Sequence, residues 1–559
     1  MRQIARLCGL LLAAGLVGCT APAPSAGQTG ASASGAATPA AAAPTTNPKP
    51  AAAAAGGGQR KVLRVMQPSQ TDTLDPAVVI NPWSIQPVED LFEPLTTLDA
   101  NNIIQPSVAK SWAVSQDGLT WTFNLRSDVK FSNGDPVTAR DFVYELNRQA
   151  WPETKSSYVF ELEVIQGTKE VESGATREIS GVKALDDYTL QFTLTEPAAY
   201  FLAMTATFTF APVSQKAVEQ FGDQWATPGN IVTNGAFLLK SWDRGTQIQM
   251  DANPNFFGGK PQIDGIEINF VPDPQTALLK YENGELDVVD IPDADFQRIS
   301  QDATLSKQMH RSPLLQARWI AFNVSKPPFD NQALREAIAY SVDRQKLSDL
   351  AFSGTVEAAC TEAPPNMIWG GKPPFCWPAP DAARAKQKLA EAGYPNGQGL
   401  PSVQFGVRNI PSNVRAVENV TSQIKAALGW EIAVNPMTPQ AMNALRKNGN
   451  PDKQIIVGTW GLDYNDPQEW FGPLYGSKQA FNYSDISDPD IDGLLKKAQG
   501  LNDQQQRYQI YTDIEQIMLN KMYVVPLWQE AANYLVKPNV HNFAYSVAYL
   551  PSLKNVAMD

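Results

Sequence analysis

The sequence predicts an α/β protein built as two lobes, and three observations carry that expectation. The chain has 559 residues, more than one hydrophobic core can organise, so about two to four domains are expected. Strand-like and helix-like stretches alternate from about 212 to 310 and again from about 320 to 525, the pattern of α/β layers. A composition of 43% hydrophobic and 18% charged residues is that of an ordinary globular chain. The net charge of −12 argues against nucleic acid as a partner, and basic-aromatic interleaving is absent.

In chain order, Arg2 and Arg6 precede an apolar run from Leu7 to Val17 that is too short to span a bilayer as a helix. Residues 1–18 therefore read as a signal peptide. Its end, Leu16-Val17-Gly18-Cys19, resembles a bacterial lipobox. Cleavage before Cys19 would leave a thiol that is acylated; a plain secretory signal is the alternative. From Thr20 to Gly58 the chain is Ala, Pro, Gly, Ser and Thr apart from Gln28 and Asn47, with Lys49 as its one charge. Such a segment buries too little apolar surface to order itself, so 19–59 is expected to be a lipidated tether. Acyl chains, at about 0.8 kcal/mol per buried methylene, would be the only membrane attachment. The expected location is extracytoplasmic, in the periplasm or on the cell surface.

The folded part opens with Lys61 to Met66, which alternates as a strand, and breaks at Thr73-Leu74-Asp75-Pro76. Glu89 to Leu95 carries apolar residues on one helical face. Ala109 to Arg126 reads as a β-hairpin with Asp117-Gly118 at its turn. A helix follows Pro136-Val137, with Thr138 as cap and Asp141 completing a near capping box. Beyond Cys8 and Cys19 two cysteines remain, Cys360 and Cys376. In an exported chain such a pair usually forms a disulfide, contributing roughly 3 kcal/mol on the entropic account. A metal site is the weaker reading, because His310 and His541 are the only histidines and neither is near.

Ile455-Ile456-Val457 reads as a buried strand that ends in Trp460-Gly461-Leu462-Asp463-Tyr464-Asn465-Asp466-Pro467. An aspartate at a strand end beside a tryptophan can meet a ligand cation. An Asx turn closed by Asp466-Pro467 is the bland alternative. The chain lacks His-Glu-x-x-His, Gly-x-Ser-x-Gly, Cys-x-x-Cys and phosphate-loop signatures. No enzyme activity, cofactor or metal is expected; a carboxylate pair acting on a glycoside, in a secreted hydrolase, is the remaining catalytic alternative.

Longer motifs carry a family resemblance. Asp117-Gly118-Leu119-Thr120-Trp121-Thr122-Phe123-Asn124-Leu125-Arg126, Val129-Lys130-Phe131-Ser132-Asn133-Gly134-Asp135-Pro136 and Asp141-Phe142-Val143-Tyr144 resemble the signature of extracytoplasmic solute-binding proteins that feed peptide-type ABC importers. Matches continue through Thr233-Asn234-Gly235-Ala236-Phe237, Lys326-Pro327-Pro328-Phe329-Asp330 and Ser341-Val342-Asp343-Arg344 to Val524-Val525-Pro526. The resemblance spans about residue 60 to the end and is strongest to the oligopeptide-binding branch.

It implies a two-lobed periplasmic-binding-protein-like fold of the large class, with an extra subdomain and a hinge. Lobe I would hold 60–311 plus 526–559, with the subdomain at about 103–211, and lobe II would hold 312–525. The chain would cross near Leu314-Leu315 and Val525-Pro526. A peptide would be bound between the closing lobes and handed to ABC permease subunits by a monomer that does no chemistry. By the same resemblance Asp463 would hold the ligand α-amino group, and backbone groups of Thr459 and Gly461 would pair with its main chain. Trp460 and Tyr464 adjoin them. From the other lobe Ile80, Asn81 and the loop to Trp83 would approach, with Tyr158 leaning over the ligand. For Tyr158 and Trp460, packing in the core is the competing role.

The pattern departs from that of the relatives at Val457, where an arginine binding the ligand carboxylate is expected. It departs again at Ala321, in place of an acidic residue, and near Pro439, where a pocket tryptophan is lost. Arg408, Arg415 and Arg446 are candidate replacements for the carboxylate anchor. An oligosaccharide or a metal chelate is the alternative ligand for the same fold.

Overall fold

The structure is a computed structural model that describes residues 60–99, 103–367, 369, 379–501, 503–545 and 553–559. The signal peptide, the tether, Cys19 and Cys376 lie outside the described residues. After strand β1 (Val62–Gln67) come the short pair β2 (Thr96–Leu98) and β3 (Ile104–Pro106). A four-stranded antiparallel sheet follows, made of β4 (Ala109–Val114), β5 (Thr120–Leu125), β6 (Val182–Asp186) and β7 (Thr189–Thr193), in the order β4-β5-β7-β6. The β4-β5 hairpin turns at Asp117-Gly118, where Gly118 has φ +73°, a left-handed conformation that glycine adopts without strain.

The main sheet has eleven strands. It adds β8 (Phe237–Asp243), β9 (Gln247–Ala252), β10 (Gly265–Phe270), β11 (Val288–Asp290) and the long β12 (Met309–Phe322). Then come β13 (Glu357–Ala358), β14 (Gln404–Arg408), β15 (Ala433–Met437), β16 (Ile455–Gly461) and the long β17 (Val524–Val536). Its order is β15-β14-β16-β12-β17-β11-β1-β10-β9-β8, with β13 also on β17.

Both faces of this sheet are covered. On β12, Ile320 and Phe322 enter one apolar cluster while Trp319 and Ala321 enter another. On β16, Ile455 and Val457 go to the first and Ile456 to the second. That is why Ile455-Ile456-Val457 is an unbroken apolar run: a strand buried on two faces has no polar side. Three further clusters lie elsewhere. One spans β1, β8, β9 and β10, one is built on Ala277, Leu278, Tyr281 and Ile299, and one fills the four-stranded sheet with Phe123, Phe142, Phe192 and Phe201. Strands β12 and β17 serve both groups: Leu314 belongs with β1 and Leu315 with Trp319, while Trp528 and Ala532 divide the same way.

The predicted cap is present. Asp141 accepts the amide and the hydroxyl of Thr138, both at 2.8 Å, at the start of the Ala139–Ala150 helix. One expectation is corrected. The helix near Glu89 spans Pro82–Leu91 and stops before Glu93-Pro94-Leu95. Asn81 caps it, Pro82 opens it, and Pro94 disfavours helical backbone at the residue before it. The segment from Ile80 to Trp83 is therefore half helix, not a free loop.

Candidate ligand-binding site

Strand β16 is paired unequally along its two edges. Strand β12 follows it from Phe322 opposite Ile455 to Gln316 opposite Gly461, whereas β14 pairs only at Ile455 and Ile456. In a strand the N–H and C=O of one residue share an edge and successive residues alternate. Gln454 accepts from Asn323, and Leu462 donates to Leu315, so even-numbered positions face β12. Val457, Thr459 and Gly461 face the other edge. Arg446 Nη2 occupies the Val457 carbonyl at 3.1 Å, and the groups of Thr459 and Gly461 follow on an edge that no described strand covers. The closeness of β12 also fixes Gly458, because a Cβ there would lie 2.3 Å from the Trp319 indole.

The turn after β16 is clamped from several sides. Asp466 caps the Pro467–Tyr475 helix through the Gln468 amide at 2.8 Å. It also takes both Arg507 Nη atoms, at 2.9 and 2.6 Å, in a buried pair. Glu469 accepts the amides of Asp463 and Tyr464, each at 2.8 Å. Tyr464 stacks on Tyr200 with centroids 6.2 Å apart and donates to Gln468 Oε1 at 2.8 Å. The backbone that presents Asp463 is thus held, while its carboxylate makes no hydrogen bond or ion pair with a described residue. Asp463 is exposed by surface area, yet it faces a recess walled by protein. Lost hydration there pushes its pKa up to about 6. Burial and the Asp463 charge likewise hold Glu469 well above the carboxylate range.

Tyr158 precedes the short Val159–Leu162 helix and packs edge-on to Phe208 at 5.0 Å. It also lies within electrostatic reach of Asp463, which adds to burial in raising its phenol pKa. The structure therefore brings Tyr158, Tyr464 and Asp463 together, and Tyr158 is at once a packed aromatic and a neighbour of the carboxylate. Trp460 is half-buried, tilted against Phe481 at 4.9 Å, with its indole N–H buried and unpartnered. Ile80 is 56% exposed. The Asn81 side chain is engaged as a cap, accepting from Trp83 N at 3.1 Å and donating to Gln70 O at 3.2 Å. Its helix brings Glu89 within electrostatic reach of Tyr158.

The three candidate arginines separate. Arg415 is elsewhere, donating to Ala351 O at 3.4 Å. Arg446 and Arg408 converge with Arg318 around Tyr483, with the Arg446 guanidinium 5.4 Å from that ring. Burial and the two like charges bring the Arg446 pKa down to about 10, although Tyr483 opposes this. Arg446 Nε and Arg408 Nε are buried without a hydrogen-bond partner, while Arg318 is paired to Glu530 at 3.3 Å. This group sits beside the Val457 carbonyl, at the far end of the open edge from Asp463. Sequence reasoning missed Arg318, Glu161 and Glu469. For Glu469 a signal existed: Asp466-Pro467-Gln468-Glu469 has capping-box spacing.

Residues 104–482 match the model of the bacterial extracellular solute-binding proteins, family 5 Middle. The chain belongs to family 5. Over 486 residues this family 5 protein is 30% identical to the periplasmic oligopeptide-binding protein OppA of Escherichia coli (strain K12), covering 85% of this chain and 88% of that protein. It is 31% identical over 478 residues to the periplasmic murein peptide-binding protein MppA of the same strain, covering 83% and 87%. Its fold overlays the unliganded open form of the MppA periplasmic murein tripeptide binding protein with a TM-score of 0.79 at 27% identity, covering 90% of this chain and 98% of that one. The α/β, periplasmic-binding-protein-like fold expected from the sequence is the fold of this family 5 chain. Its relatives are named as periplasmic binding proteins. Among the described residues no helix is long and apolar enough to cross a membrane, and no group of His, Cys, Asp and Glu could hold a metal ion. Cys360 is disulfide-bonded.

Proposed function

We propose that this protein binds oligopeptides between two lobes and delivers them to an ABC permease, from a membrane to which acylated Cys19 anchors it. The observation that carries the reading is the open edge of β16. It offers backbone groups of Thr459 and Gly461 to an extended main chain and ends at Asp463, a carboxylate without a cation. A peptide backbone supplies strand-like pairing whatever its sequence, and its α-ammonium supplies the cation. The carboxylate end of a short peptide would then run toward Arg446 and Arg408, whose buried Nε–H groups lack acceptors. These arginines take the place of the missing basic residue at Val457.

The lobes proposed are 60–311 plus 526–559, with the subdomain at 103–211, and 312–525. Support comes from the apolar clusters, which change hands on β12 between Leu314 and Leu315 and on β17 between Trp528 and Ala532. Two long strands crossing between lobes suit hinge closure around a ligand. Relatives named for oligopeptides and murein peptides favour a peptide over a sugar or a chelate. Calorimetry with trialanine, N-acetyl-trialanine and trialanine amide tests this reading. Acetylation should remove most of the binding and amidation should weaken it. Undiminished binding of the acetylated peptide, or none of the free peptide, would refute it.

A further inference from the structure

A second carboxylate lies behind the first, and nothing in the peptide reading uses it. Glu161, on the Val159–Leu162 helix, is 3% exposed, and its Oε2 is buried without a hydrogen-bond partner. The Thr209 hydroxyl lies near enough to draw the carboxyl pKa down, but it makes no hydrogen bond of normal geometry. Glu161 and Asp463 repel each other, and Glu161 acts in the same way on Glu469 and Tyr464. Packing agrees with this placement, because Tyr464 lies against the aromatic cluster to which Leu162 belongs.

Among the described residues, no lysine or arginine forms an ion pair with Glu161, Asp463 or Glu469, and none is among the main charges acting on Tyr158 or Tyr464. Asp466 and Glu93 are buried against Arg507 and Lys554, whereas Asp90, Glu362 and Glu515 are buried with an unpartnered oxygen as Glu161 is. Glu161 differs from these three in acting on Asp463. A buried carboxyl with a free acceptor oxygen is costly unless a partner arrives. One α-ammonium satisfies Asp463 and leaves Glu161 unmet. The residues around it in the chain are aromatic: Tyr158 and Phe160 stack at 5.9 Å, and Phe160, next to Glu161, is 54% exposed. Such rings suit the methylene stem and cationic head of a basic side chain.

Resting on the peptide reading, we infer that Glu161 forms a second cation subsite and that the preferred ligands carry a basic first residue, with Asp463 on the α-ammonium and Glu161 on the side-chain cation. Burial and the neighbouring charge hold the free Glu161 carboxyl up to about 8. Arrival of a cation then releases its proton to solvent at neutral pH.

The test is titration calorimetry of the full mature chain at pH 7 with Lys-Ala-Ala, norleucine-Ala-Ala and trialanine, repeated in two buffers of different ionisation heat. In the wild type Lys-Ala-Ala should bind about tenfold or more tighter than the norleucine peptide, the range of one charge-assisted hydrogen bond. Its heat alone should vary with buffer, by a fraction of one proton released. In Glu161→Gln the ratio of the two affinities should collapse toward one. The ratio is taken within each variant, so a general loss of affinity cancels. Equal affinity of the two peptides in the wild type, or a preference that persists in Glu161→Gln, overturns the inference and leaves the peptide reading standing. Failure of trialanine and both other peptides to bind the wild type overturns both. Should Glu161→Gln not fold, buffer-independent heat for Lys-Ala-Ala in the wild type overturns the inference.

Discussion

Replacing Asp463 by asparagine should weaken ligand binding and stabilise the empty protein, two effects of opposite sign from one carboxylate. In the free protein the pKa of this group is raised from 3.8 to about 6 by the loss of hydration in its recess. An acid whose folded pKa is raised carries a penalty for ionising. The penalty is absent while both states are protonated, below about pH 3.8. It grows as pH rises between the unfolded and folded values and is complete above about 6. Asp463→Asn removes it, so the variant should melt higher than the wild type at pH 7.5 and equally at pH 3.5. The same ionised group is what an ammonium binds. Losing a charge-assisted bond of about 1.5–3 kcal/mol should raise the trialanine Kd at pH 7 by about ten- to 150-fold. Wild-type affinity should be flat from about pH 6 until the ammonium loses its proton near 8, and fall about tenfold per unit below 6. Calorimetry from pH 5 to 8 and thermal melts of both proteins give the numbers. A variant that binds trialanine within twofold of the wild type at pH 7, or that melts lower at pH 7.5, would show that Asp463 is not a strained cation receptor.

Arg507→Met should cost about 3–5 kcal/mol, because it strands the buried Asp466 carboxylate. The double change with Asp466→Asn should recover part of that loss, as read by denaturant unfolding. Gly458→Ala should destabilise by about 1–3 kcal/mol, since its Cβ meets the Trp319 ring rather than open space; an unchanged melting temperature would contradict the packing described. Thr459→Pro deletes an N–H on the open edge without touching the β12 ladder. It should leave the fold intact by circular dichroism and weaken peptide binding about two- to tenfold.

What the sequence made legible was local. The Ile455-Ile456-Val457 run, the Asp117-Gly118 hairpin and the Thr138-Asp141 cap each depend on neighbours within a few residues, and each stands where expected. The helix at Pro82–Leu91 was displaced because Asn81-Pro82 can open a turn or a helix, and only the fold chooses between them. The site is harder to read because it is made across the chain. Nothing near Arg408, Arg415 or Arg446 distinguishes them. Two of them meet only because β14 and the Pro439–Arg446 helix flank the same end of β16, and Arg318 joins from β12. Glu161 and Asp463 are separated by some three hundred residues and meet only in the folded chain. No local periodicity encodes such a pairing.

Strand β17, which the chain reaches only after residue 523, lies in the middle of the main sheet between β12 and β11. Without it the strands fall into two ladders, β15-β14-β16-β12 and β11-β1-β10-β9-β8, with no hydrogen bond between them. At roughly 5–20 residues per second, the ribosome works for about half a minute to two minutes before the strand that joins the two ladders exists. Either ladder can begin to form alone, but the sheet cannot close. For the export proposed above, a sheet that cannot close until its last long strand is made would oppose threading less than a finished one.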